Sequence, residues 1–96
     1  MTEHEQRFES VWDAIEASPA AAANMKARAD LMVALHQTID GWGLRQAAAA
    51  KRLGLTQTRL NDLLRGRIGK FSLDALMKLA GRAGLCVRVE IIRPAA

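Results

Sequence analysis

Apolar residues recur at helical spacing through most of this chain and at a spacing of two only near its end. Phe8, Val11, Trp12 and Ile15 stand at i, i+3, i+4 and i+7, one stripe of a helix, and predict a short first helix over 6–17. Ser18 followed by Pro19 marks a restart. The serine side chain accepts from an early amide, and proline at the first helical position loses no hydrogen bond. The second helix is expected to run to Ile39 or Asp40, with Met25, Met32, Leu35 and Ile39 inward, and to stop at Gly41, where a left-handed cap costs least. Gly41-Trp42-Gly43 then reads as a hinge, with Trp42 a buried staple between the halves.

Past the hinge the helical pattern comes in short bursts. Residues 44–53 predict one helix, Gly54 interrupts it, and Thr56 caps another that ends at Gly66. Ser72, with Asp74 in the first turn, opens a fifth helix, with Leu73, Leu76, Met77 and Ala80 inward and an end between Gly81 and Gly84. The period then changes. Leu85, Val87, Val89 and Ile91 alternate with Cys86, Arg88 and Glu90, which predicts a half-buried strand over 85–93, ended by Pro94. A lone strand leaves backbone donors and acceptors unpaired, so its mate is expected in another copy or in another protein.

Composition narrows the class. At 96 residues the chain has room for one small domain, whose helical content the pattern already suggests. A core this small buries roughly two-thirds of the surface that the unfolded chain exposes, so a partner subunit would help its stability. The single cysteine, Cys86, excludes an intrachain disulfide, and Glu3 and Glu5 stand where a signal peptide would be basic. A cytoplasmic, nucleoid-associated protein is expected. The stretch 20–39 carries Lys26, Arg28, Asp30 and His36, which argues against membrane insertion. No cofactor and no metal are expected, because His4, His36 and Cys86 make no ligand spacing and no glycine-rich phosphate loop is present. For the same reason no catalytic residue is assigned, and the chain is not expected to be an enzyme.

The net charge of +4 conceals a division along the chain. Residues 1–40 hold three Lys/Arg against seven Asp/Glu, a net −4, whereas residues 41–96 hold eleven against three, a net +8. The basic part attracts a polyanion, and the acidic part suits a basic protein.

The segment Gln46-Ala-Ala-Ala-Ala50-Lys-Arg-Leu-Gly54-Leu-Thr-Gln-Thr-Arg-Leu60-Asn-Asp-Leu-Leu-Arg65-Gly66 resembles the helix-turn-helix of the Xre/Cro family, the phage-repressor type. Its spacing suits that geometry. Ala50 lets two helices cross closely, Gly54 takes a positive φ at the turn, and Leu60 is a branched wedge between the helices. The run Gly66-Arg-Ile-Gly-Lys-Phe-Ser-Leu-Asp-Ala-Leu-Met-Lys-Leu-Ala80, with the strand after it, is similar to a subgroup of small one-domain regulators that includes HigA-type antitoxins. The resemblance implies an all-α, five-helix, lambda-repressor-like domain over 1–96. Its parts are N-terminal helices in 1–40, the helix-turn-helix in 44–66, a last helix in 72–84 and a C-terminal β-strand in 85–93 that pairs across a dimer.

In such a fold the helix opening at Thr56 or Gln57 enters the major groove of double-stranded DNA. Gln57 is the best placed base reader, since its amide pairs with adenine, while Arg59 suits guanine and Thr58 a thymine methyl. Asn61 and Asp62 are further readers one turn along. Phosphate contacts are expected from Arg45, Gln46, Thr56, Arg65, Arg67 and Lys70. A homodimer on a palindromic operator would supply the specificity that one reading helix lacks, with Leu85, Val87, Arg88, Val89, Glu90 and Ile91 at its interface. With a two-fold axis near Val89, Arg88 faces Glu90 of the other copy twice over. The resemblance also implies a small basic toxin of the HigB/RelE type as partner, for which Glu3, Glu5, Glu9, Asp13 and Glu16 offer an acidic face, and repression of the operon encoding both. The alternatives are a stand-alone regulator without a toxin and a protein-interaction module without DNA binding.

Overall fold

The computed structural model describes residues 18–94, and the expected first helix over 6–17 lies outside them. The regular structure of the described residues is helical: α1 (Pro19–Trp42), α2 (Gln46–Leu53), α3 (Gln57–Leu64), a 3-10 turn (Ile68–Lys70) and α4 (Leu73–Arg82). Ser18 opens α1 as the sequence predicts, its hydroxyl accepting from the Ala21 amide at 2.9 Å. Ser72 does the same for α4 with Ala75 at 3.1 Å.

Two helix ends differ from expectation. Helix α1 does not stop at Gly41 but runs on to Trp42, and Gly43 at φ 63° is the left-handed cap, its N–H donating to the Asp40 carbonyl. A glycine inside a helix is tolerated at about 1 kcal/mol, so the position that needs positive φ decides the end. Helix α2 begins at Gln46 and not at Leu44, which is exposed ahead of it.

The core is built where α1, α3 and α4 converge, with α2 packed on α3 and α4. Leu35, Leu53, Leu60, Leu63, Phe71 and Leu76 are its largest fully buried side chains. Ala49, Ala50, Ala80 and Ala83 are buried between them, where a small side chain lets backbones approach. Met32, Leu35 and Ile39 face inward as the spacing predicts. Met25 is only half-buried. In α4 the inward residue is Leu79, not Met77, which is exposed: the buried stripe runs Leu76, Leu79, Ala80 and Ala83. Trp42 packs against the core edge, with the Arg52 guanidinium 4.1 Å from its ring centroid. The staple between halves is therefore a cation–π pair of α1 with α2.

The C-terminal segment departs furthest from its expected form. Leu85 donates to the Ala80 carbonyl at 2.9 Å and packs on the core, but the following residues form no strand among the described residues. Val89, Ile91 and Ile92 stand 70%, 81% and 78% exposed. The alternating pattern is present, yet the described residues offer no second extended segment to complete a ladder.

Candidate nucleic-acid interface

Helices α2 and α3 are joined by three residues, Gly54 to Thr56. Gly54 takes φ 69°, and Leu55 donates back to the Ala50 carbonyl at 2.8 Å. The turn is braced from α4, where Arg82 donates to the Leu53 carbonyl at 3.0 Å. A β-carbon at Gly54 would lie 2.6 Å from that guanidinium. Thr56 caps α3 by accepting from the Arg59 amide at 3.1 Å, which accounts for this hydroxyl without a phosphate.

Burial of Leu60 and Leu63 fixes how α3 is rolled. At about 100° per residue, Gln57, Thr58, Asn61 and Arg65 then fall within one arc of about 100° opposite the buried leucines. Gln57, Thr58 and Arg65 are exposed and Asn61 is half-buried. This is a short polar face with one amide near each end of the first turn, the chemistry that pairs with base edges.

The other two expected readers have contacts of their own. Arg59 stacks on Phe71, with its guanidinium 4.0 Å from the ring centroid, and donates to the Lys70 carbonyl at 2.7 Å. Asp62 is only 7% exposed, so it is no outward-facing reader in this structure. Its carboxylate accepts from Arg67 at 3.2 Å and stands 3.7 Å from the Lys70 ammonium. Arg59 lies about 100° beyond Thr58 on the flank of α3 that meets the following loop, and Asp62 about 40° beyond Thr58, at the border of the arc, where Arg67 and Lys70 close over it.

That loop carries Arg67 and Lys70 and is held from three directions. Besides Arg59 and Asp62, Arg28 on α1 donates to the carbonyls of Ile68 at 3.3 Å and Phe71 at 3.4 Å. Asn24 accepts from the same guanidinium at 2.8 Å and orients it along α1. Arg28, Arg82 and Phe71 escaped the sequence reading. The loop carbonyls that Arg28 holds lie 40 and 43 residues away, so no local spacing betrays that role. Arg45 and Gln46 stand exposed at the start of α2, where Arg45 provides no side-chain cap and leaves the first amides open to an anion. No helix of the described residues is long and apolar enough to cross a membrane.

Comparison with known proteins agrees with this geometry. The family described as "Helix-turn-helix domain" matches residues 15–92. A solved structure whose name assigns it to the XRE family of transcriptional regulators superposes with a TM-score of 0.69 at 34% identity, covering 78% of this chain and 90% of that one. No curated protein matches the chain. With the glycine turn, the buried Leu60 wedge and an outward polar face on α3 all in place, the chain belongs to the helix-turn-helix domain family, as a regulator of the XRE type.

Proposed function

We propose that this chain is a sequence-specific repressor that binds double-stranded DNA as a homodimer, with α3 in the major groove. The observation that carries the reading is the outward face of α3. Gln57, Thr58 and Asn61 share it with Arg65, on a helix whose roll is fixed by Leu60 and Leu63. Gln57, Thr58 and Asn61 read base edges. Arg45, Gln46, Arg65, Arg67 and Lys70 take phosphates and set register, with the open N-terminus of α2 as a further anion site. Arg59 and Asp62 contribute through the loop they hold. The two copies join through 85–93, where Val87, Val89 and Ile91 alternate with Arg88 and Glu90, and the exposure of Val89 and Ile91 leaves that edge free for a second copy.

The finer reading is an antitoxin that represses its own operon together with a small basic toxin of the HigB/RelE type. Its support is the layout of the chain and the net −4 of residues 1–40, which suits a basic partner protein while residues 41–96 serve DNA. Such a protein acts in the cytoplasm, on the nucleoid.

The test is fluorescence anisotropy of the purified chain and its Gln57→Ala variant on duplex from upstream of its own gene, beside a scrambled duplex, at two salt concentrations. Salt-sensitive binding with a preference that the variant loses supports the repressor. Equal binding to both duplexes overturns it. For the antitoxin, co-expression with the adjacent gene product must yield a complex that survives purification; absence of any complex leaves a stand-alone regulator.

A further inference from the structure

We propose that Asp62 is a specificity-determining residue of the DNA interface: it stands in for a backbone phosphate toward Arg67 and Lys70, holding both cations in one place and restraining their attraction to duplex of any sequence. The inference rests on the DNA-binding reading above. Asp62 is the one buried charged residue among the described residues. Burying a carboxylate is unfavourable unless it is paired, and here two cations answer it, Arg67 at 3.2 Å and Lys70 at 3.7 Å. The backbone is tied at the same point, for the Arg67 amide donates to the Asp62 carbonyl at 3.1 Å. Both cationic side chains nevertheless remain about half exposed, 47% and 56%, so a phosphate can reach them.

A carboxylate and a phosphate offer the same partner to a guanidinium or an ammonium, an anionic oxygen acceptor. Random duplex must compete with Asp62 for these two cations with nothing but electrostatics. A fitted site adds the contacts of Gln57, Thr58 and Asn61, which hold the duplex where fixed cations meet its phosphates. Without the carboxylate the cluster would carry one more unit of net positive charge, and its two cationic side chains would follow any backbone. Non-specific binding, which is almost wholly electrostatic, then gains more than specific binding does. The loop itself would stay in place, because Arg28 holds the carbonyls of Ile68 and Phe71, and Arg59 holds that of Lys70.

The experiment compares wild type with Asp62→Asn, nearly isosteric and uncharged, by anisotropy on upstream and scrambled duplexes over a salt series. Affinity for the scrambled duplex is expected to rise about 3- to 10-fold, its log–log salt slope to steepen by about one unit, and the preference for the upstream duplex to fall by a similar factor. In an Arg67→Gln/Lys70→Gln background the same substitution should change nothing, since its targets are gone. An unchanged preference in Asp62→Asn, or an equal effect in both backgrounds, overturns the proposal while the DNA reading stands. Sequence-indifferent binding by the wild type overturns both, and is read before any variant is made. Circular dichroism checks the fold; if Asp62→Asn unfolds, Asp62→Ser is measured in its place against the same expectations.

Discussion

Arg82 of α4 donates to the Leu53 carbonyl at 3.0 Å, and the same guanidinium fills the space that a β-carbon on Gly54 would need. The turn between α2 and α3 is thus set by a residue 28 positions downstream of the glycine as much as by the glycine itself. The contact puts a cation at the C-terminal end of α2, where orphan carbonyls and the helix dipole favour it.

Gly54→Ala should destabilise the fold by about 1–3 kcal/mol, through the left-handed φ and the encounter with Arg82. Arg82→Ala should cost about 1 kcal/mol for the lost hydrogen bond. Because the clash disappears with Arg82, the double variant is expected to lose less than the sum of the two. Urea unfolding of the four proteins checks this, and strict additivity would refute the coupling.

Leu60→Ala leaves a cavity at a fully buried position between α2, α3 and the rest of the core, at an expected cost of about 2–5 kcal/mol. A domain of this size has a total stability of similar order, so thermal melts followed by circular dichroism should show the variant largely unfolded near body temperature.

Gln57→Ala should relax discrimination at a single base pair, losing about 1–3 kcal/mol there and leaving other positions unchanged. Arg65→Gln should weaken all sequences alike and reduce the salt slope by about one. Anisotropy on a panel of singly substituted duplexes separates the two behaviours.

Arg59→Ala gives the sharpest contrast between a reader and a holder of the loop. The stacking on Phe71 and the bond to the Lys70 carbonyl predict a uniform loss of affinity with a lowered unfolding midpoint. Loss of preference at one base pair with unchanged stability would assign Arg59 to a base instead.

Removal of residues 87–96 leaves Leu85 on the core and takes away the exposed Val89, Ile91 and Ile92. Light scattering should then report a monomer with its helical ellipticity intact. A dimer that survives the truncation would move the interface elsewhere.

The four described helices, the caps at Ser18, Thr56 and Ser72, the positive φ of Gly54 and the burial of Leu60 and Leu63 on α3 were legible in the chain, because each depends on residues within a turn or two of one another. The choice of Gly43 over Gly41 as the cap was less so, for two glycines compete within one turn and packing of Trp42 favours the later. What local pattern could not supply is who meets whom across the fold. Arg59 and Asp62 carry side chains fit for bases, and only the return of the loop past α3 gives them Phe71, Arg67 and Lys70 as nearer partners. Arg28 and Arg82 are unremarked cations on their own helices until folding brings α1 to the loop and α4 to the turn. The sequence by itself determined the helices and the leucines that α3 buries, since backbone propensity and apolar periodicity are local. Tertiary structure decided which charged side chains are spent inside the protein and which remain free for a ligand, since that depends on contacts between residues tens of positions apart.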